Sequence, residues 1–187
     1  MEAFFALVNE YGLLVYVLLF VYCGLKSGAL PVFAGFAASQ GALDPWVVLA
    51  LTFAGGYLGD ELRFALARRH GPGLLARWPW AQKGVEKARL LMAHYGVWYI
   101  FMYRYPKGMR TIGAFPVGLG PMSWPTFTLL NAASAAMWAG ILIGAGYFFG
   151  DMVASAESTW ALASLALLIG FIALGYVALR RVTRLSE

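Results

Sequence analysis

The sequence is short of cysteine, histidine and charge. It has one Cys and two His in 187 residues, and 12% of the chain is charged against 61% hydrophobic. Each shortage excludes something. The single Cys23 lies in an apolar run, so neither a disulfide framework nor a cysteine metal site is available. His70 and His94 lie in a basic stretch without an acidic-rich or HxxxH-type neighbourhood, so no metal, cofactor or hydrolytic centre is expected. So little charge excludes an ordinary soluble domain and points to an integral membrane protein. The length allows a handful of spans in one small membrane domain, 1–187, with no separate soluble catalytic domain. Lys and Arg number 14 and Asp and Glu 9, a net charge of +5. The cations flank apolar segments, as they do beside anionic lipid headgroups, so no nucleic-acid partner is expected. The N-terminus has no basic region followed by a small-residue cleavage site, and the first apolar segment is expected to remain as a helix.

Residues 1–10 form a short amphipathic entry, and Tyr11 to Leu25 continues as an apolar helix long enough with it to span. Lys26-Ser27-Gly28 breaks the run. Ala29 to Ala38 is apolar but too short to cross, with Pro31 and Gly35 inside it, and Ser39 to Asp44 reads as a turn. This is a first re-entrant hairpin. Pro45 is suited to the first position of a helix, which is expected to run to about Ala67. Its Gly55, Gly56 and Gly59 allow close helix approach in lipid. Residues 68–95 are the one long polar stretch, with an amphipathic surface helix expected from about Ala81. A second helix runs from Pro125 to Phe149, an acidic loop follows, and residues 160–179 form a clean final span closed by Arg180, Arg181 and Arg184.

Between them, Tyr103 to Trp138 combines high hydrophobicity with Arg104, Lys107 and Arg110. A cation at bilayer depth costs about 2.5–3.5 kcal/mol on insertion scales, so three together need a reason. Four prolines and four glycines interrupt the segment, and a broken backbone in a membrane must be buried in protein or line a wet cavity. Pro116 and Gly118 are expected to break the segment as Pro31 and Gly35 break the first. This gives a second re-entrant hairpin with cations at its mouth and hence an anion site. The competing reading is a cytoplasmic loop obeying the positive-inside rule, but Ile112 to Leu119 is too apolar for a solvated loop.

Counting cations sets the orientation. With both termini cytoplasmic, the basic stretch and the three terminal arginines fall inside, and the loop at 150–159 outside has only Asp151 and Glu157. The two halves, 26–67 and 97–149, then run in opposite directions, each with an apolar hairpin, a turn and a proline-initiated helix. Either they are an inverted repeat, as in many transporters, or they share membrane-helix composition. The expected fold is an all-α integral membrane protein of about four transmembrane helices. Two oppositely facing re-entrant hairpins form the inverted repeat, and an amphipathic cytoplasmic interfacial helix lies beside it.

Several ordered residues resemble the DedA family of VTT-domain proteins. AGFAASQGAL at 34–43 is similar to the family's first hairpin and turn. Gly59-Asp60, Phe64, Arg68 and Gly71 resemble its Gly-Asp, aromatic, Arg, Gly pattern, with Ala67 where glycine is usual. Arg104 and Arg110, six apart, resemble its arginine pair, and Gly118, Met122, Phe127, Asn131 and Trp138 follow at its spacing, with Ala135 for a common glycine. The resemblance covers most of residues 31–150. It implies lipid translocation in the bacterial inner membrane, with undecaprenyl phosphate and phosphatidylethanolamine among the substrates. Family members also carry two acids around the first hairpin, thought to support proton coupling. Here Tyr22 and Gly28 stand near those positions, and Lys26 replaces an expected proline, which puts such coupling in doubt.

A guanidinium can grip a lipid phosphate with two hydrogen bonds. Arg104, Arg110, Lys107 and, at the opposite hairpin, Lys26 are the candidate phosphate ligands. Thr111, Asn131, Ser134 and Trp138 either line the path or simply pack helices. Asp60 and Glu61 either carry protons or pair with Arg63, Arg68 or the hairpin arginines. The expected partners are membrane lipids with an anionic or phosphate headgroup and, beyond them, a second copy of the chain in a homodimer. Moving such a headgroup between leaflets is flipping or scrambling rather than catalysis, so no enzymatic activity is expected. A proton- or ion-coupled exporter of small solutes and a membrane-bound lipid phosphatase are the alternatives.

Overall fold

The computed structural model describes the backbone of residues 2–26, 28–77, 79–105 and 109–155, with most of their side chains. It is all-helical over these residues. The helices are α1 (Glu2–Leu25), α2 (Leu30–Ser39), α3 (Pro45–Arg77), α4 (Pro79–Tyr95), a short α5 (Tyr99–Met102) after one 3-10 turn, α6 (Met109–Leu119) and α7 (Trp124–Ser155). The expected final span, 160–179, and Lys107 lie outside the described residues, as do the side chains of Arg110 and Thr111.

Local chemistry sets the boundaries. The Asp44 carboxylate accepts the N–H groups of Trp46 and Val47, both at 2.9 Å, and caps α3 just before Pro45 takes its first position. Gly41 turns the chain out of α2 with φ +74°, a left-handed conformation that suits glycine. At 33 residues α3 outruns the expected end at Ala67 by about ten, because residues 68–77 continue the helix rather than forming a connector. The surface helix is present as α4, with Val85 and Ala88 buried and Lys87 and Arg89 exposed. It packs against α6.

Pro31, Gly35, Pro116 and Gly118 are not breaks, contrary to the expectation. Pro31 sits at the start of α2, where its missing N–H costs no helical bond, and Gly35 lies inside that helix. Helix α6 runs unbroken through Gly113, Pro116 and Gly118. Both hydrophobic segments turn after the helix, at 40–44 and 120–123. The two inner glycines serve close packing instead. A Cβ on Gly35 would stand 2.3 Å from the Ile143 carbonyl oxygen, and one on Gly118 would stand 2.8 Å from that of Phe64.

The short helix of each half lies on the long helix of the other: α2 packs on α7, and α6 on α3, while α3 and α7 also touch each other. Helix α1 crosses α3 at Gly55 and Gly59, where added Cβ atoms would stand 2.4 Å from the carbonyl oxygens of Phe20 and Gly24. Two buried clusters result. One gathers Leu19, Cys23, Val48, Trp138 and Ile143, and the other Phe64, Tyr99, Tyr103, Val117 and Phe127. Outside them the helices expose Leu13, Phe33, Leu62, Leu129 and Phe148, an apolar exterior that suits lipid. Among the described residues one helix, Trp124–Ala154, is long and apolar enough to cross a membrane, and Gly12–Leu25 and Leu30–Ser39 are shorter apolar helices.

The α2–α7 contact yields a direct test. A Cβ on Gly146 would stand 2.0 Å from the Val32 carbonyl oxygen, whereas one on Gly144 would meet nothing within 4 Å. Thermal unfolding in detergent should show Gly146→Ala destabilised by about 1–3 kcal/mol, the usual cost of overpacking. Gly144→Ala should be neutral or slightly stabilised. Equal stability of the two variants would contradict this packing.

Candidate functional site

At the meeting point of α3, α7 and the turn after α5 lies a buried polar network. Arg104 follows α5 and has no solvent exposure, nor has Asp60 of α3. The Asp60 carboxylate receives Arg104 Nη2 at 2.9 Å, Arg63 Nη1 at 2.8 Å and the Tyr103 hydroxyl at 3.0 Å. The remaining Arg104 donors are also engaged. Nε donates to the Ser134 hydroxyl at 2.9 Å, Nη1 to the Gly56 carbonyl at 3.4 Å, and Nη2 to the side chain and carbonyl of Asn131. The Ser134 hydroxyl in turn donates to the Ile100 carbonyl at 2.9 Å. A buried cation is tolerated when an anion and further acceptors meet it, and both are present here.

The network extends in two directions. Arg63 also donates to the carbonyls of Gly24 and Leu25, at 2.6 and 3.1 Å, and so ties the end of α1 to Asp60. On the other side the Asn131 amide donates to the Tyr57 carbonyl at 3.1 Å and to Glu61 at 3.0 Å. Glu61 further accepts the Trp124 indole N–H at 3.1 Å and the Thr128 hydroxyl at 3.2 Å. Asp60 therefore meets two cations. Its neighbour Glu61 meets three neutral donors.

The structure thus brings together Asp60, Glu61, Arg104, Asn131 and Ser134 from the expected set, but as an internal network. Arg104 faces protein groups rather than an open anion site, because Asp60 supplies the anion its burial demands. Arg68, offered by sequence as a partner for the acids, instead donates to the Gly120 carbonyl at 3.2 Å and to that of Met122, with its guanidinium 5.0 Å from the Phe64 ring centre. It holds the turn between α6 and α7. The Phe64 ring stacks on Phe127 at 4.1 Å, so Phe64, Arg68, Met122 and Phe127 form one structural corner. The backbone of Arg110 lies in the first turn of α6. Lys26 is exposed, just past the end of α1. Among the described residues no group of three or more His, Cys, Asp or Glu side chains could hold a metal.

Lys26 stands in a cleft of about 570 Å³ between the α1–α2 junction, the turn after α5 and α7. Tyr22, Gly28, Tyr105 and Trp138 share the wall with it, and the Tyr22 hydroxyl occupies the space that a side chain at residue 28 would need. Trp138 is only 1% exposed and presents the floor of the cleft while packing the core. A cation with tyrosines around it can receive an anionic headgroup. Sequence reasoning found Lys26 and Trp138, and offered Arg63 and the hairpin arginines as partners for Asp60, but missed Tyr105 and Tyr103. Tyr103 and Asp60 are 43 residues apart, and no local spacing signals that they meet. The network carries its own prediction. Lysine has three donors and no fork, so Arg104→Lys cannot serve Asp60, Ser134, Gly56 and Asn131 together. Its thermal unfolding should show a loss of about 2–3 kcal/mol, as when a buried hydrogen-bonded charge loses partners. Unchanged stability would show that the network does not hold the fold.

Comparison with known proteins identifies the assembly. The family model described as the VTT domain matches residues 26–148, from the Lys26 junction to near the end of α7. The chain is 31% identical over 149 residues to the Escherichia coli inner membrane protein YohD, covering 79% of this chain and 76% of that one. It is 30% identical over 144 residues to an uncharacterised membrane protein of Mycobacterium leprae, covering 73% of this chain and 65% of the relative's length. Against the Escherichia coli protein DedA it is 27% identical over 162 residues, 78% of this chain and 74% of that one. No solved structure matches. The chain belongs to the DedA family and is a VTT-domain membrane protein.

Proposed function

We propose that the chain moves a phosphate-bearing lipid, such as undecaprenyl phosphate or phosphatidylethanolamine, between the leaflets of the bacterial inner membrane. The Lys26 cleft carries this reading: an exposed cation and aromatic polar groups stand in an otherwise apolar helical bundle. Such a site suits a headgroup whose tails remain outside in lipid. The pairing of each half's short helix with the other half's long helix supports the inverted repeat. At 1.5 Å per residue α2 and α6 span only about 15 Å each, half of a hydrocarbon core, which supports re-entrant segments. Both termini are cytoplasmic in this reading, and α4 rests on the inner leaflet. Arg104 acts as the anchor of the second hairpin, while Lys26, with Arg110 and Lys107, meets the headgroup. The chain is a transporter rather than an enzyme in this account.

Two experiments test it. In proteoliposomes with headgroup-accessibility readout, Lys26→Gln should lose most transport while folding normally, and Arg110→Lys should do the same if a planar fork grips phosphate. Wild-type transport by both variants would overturn the phosphate site. The second concerns energy supply. With Asp60 held by two cations and Tyr22 and Gly28 at the junction, collapsing a proton gradient should leave translocation largely intact. An abrupt loss would contradict the gradient-independent mechanism.

A further inference from the structure

Helices α3 and α7 leave an apolar groove between them on the surface of the bundle. It encloses about 410 Å³, walled by Trp46, Ala50 and Phe53 of α3 and by Ala136, Ala139 and Gly140 of α7. Among the described residues nothing covers it: Trp46 is 76% exposed, and a Cβ on Gly140 would meet nothing within 4 Å. Glycine weakens a helix interior, and elsewhere in this fold such glycines admit a second helix. Gly55 and Gly59 admit α1, where an added Cβ would run into the carbonyls of Phe20 and Gly24. Gly146 and Gly150 admit α2 at Val32 and Ser39 in the same way. Gly140 offers that kind of opening in a groove that the described helices leave empty.

The chain itself supplies an occupant of matching chemistry. Residues 160–179, outside the described residues, carry no charge and are apolar almost throughout. Helix α7 is described as far as Ser155, and only 156–159 separate that point from Trp160. So short a connection makes two helices antiparallel neighbours. The chain also leaves α7 at the right end of the bundle. Gln40, in the turn before α3, donates to the Gly150 carbonyl at 2.9 Å, so the last turns of α7 stand beside the start of α3 and the Trp46 end of the groove. Gly140 lies about 22 Å back from Ser155 by helical rise, and a helix begun at Trp160 reaches Gly175 after the same rise. A tether this short holds the segment at an effective concentration of about millimolar, which a second copy must exceed to take its place.

We propose that the α3–α7 groove is the docking site of the chain's own segment 160–179, which returns antiparallel to α7 and crosses it with Gly175 against Gly140. Ala136 and Ala178 then face each other about one turn further along. Trp138 and Leu142, two residues on from Ala136 and Gly140, wall the Lys26 cleft from the opposite side of α7. The docked segment therefore covers the α3–α7 face and leaves the cleft free, whatever headgroup the cleft receives.

The experiment is disulfide scanning of the full chain in membranes, in a Cys23→Ala background, with a membrane-permeant oxidant. Gly140→Cys is combined in turn with a single cysteine introduced at each of residues 171–178. A disulfide needs Cα atoms within about 7 Å, so oxidation reports docking residue by residue. It should peak at Gly175 and Ala178 and give a protein of monomer mass with no thiol left to alkylate. The same scan against Ile141→Cys should stay reduced, because Ile141 is exposed and outside the groove lining. A second measurement needs no new thiol: Gly140→Leu should lower the melting temperature in detergent by several degrees, since a docked backbone leaves the side chain no room. Disulfides that double the mass would assign the groove to a second copy. Two reduced thiols throughout the Gly140 scan would leave the groove to lipid. Either result overturns the proposal, as would equal oxidation of the Ile141 scan or a Gly140→Leu protein as stable as the wild type.

Discussion

The buried pair of Asp60 and Arg104 is the constraint on which the rest depends. Burying a guanidinium in an apolar bundle is too costly unless its donors are matched, and here no single helix supplies all the acceptors. The structure draws them from α3 and α7 at once, around an arginine that comes from the turn after α5. Arg63 then fastens the end of α1 to the same carboxylate. Four separate chain segments are thereby held at one point. Most apolar contacts elsewhere would tolerate sliding between helices, but this network has one register.

That arrangement separates two tasks which the sequence assigns to the same residues. Cations near the middle of a membrane either hold the protein together or receive something anionic. Arg104 does the first, because Asp60 meets it inside the protein. In the proposed reading Lys26 does the second, exposed in a cleft next to Tyr22 and Tyr105. The proposed transport site is therefore built beside the network rather than from it. Its wall residue Tyr105 directly follows Arg104 in sequence, so the anchor fixes one side of the cleft.

The legible parts of the fold were those governed by local rules. Pro45 after a capping Asp44, the apolar run of α1, the amphipathic α4 and the close-packing glycines of α3 each follow from a few adjacent residues. The close approach that the sequence allows at Gly55 and Gly59 is made by α1. Breaks were misread because proline and glycine have two uses. At Pro31 the ring fits a helix start, and at Gly35 and Gly118 the missing side chain admits a neighbouring backbone, so neither helix is interrupted. The site was legible as a set of residue types and as a choice of partners. Charge at depth marked Arg104 and Asp60 as unusual and offered Arg63 and the hairpin arginines to the acids. Which acid meets which arginine joins residues 44 apart in sequence, however, and Tyr105 gave no signal beyond being aromatic. Arg68 shows the same limit: its position in a family pattern is plain, while its work on the carbonyls of Gly120 and Met122 depends on a distant turn.

The most direct test of this account is the coupling between Asp60 and Arg104. Unfolding free energies of Asp60→Asn, Arg104→Gln and the double variant close a thermodynamic cycle. Asp60→Asn leaves Arg104 buried without its anion and should cost about 3–5 kcal/mol. Arg104→Gln, which leaves Asp60 paired with Arg63 alone, should cost less. The double change puts two neutral groups that can hydrogen-bond in place of the pair. The account predicts a double variant clearly more stable than the sum of the single losses allows, with a coupling of about 2 kcal/mol. Strictly additive losses would contradict it, because the two side chains would then act independently and the network would not be what holds these helices in register.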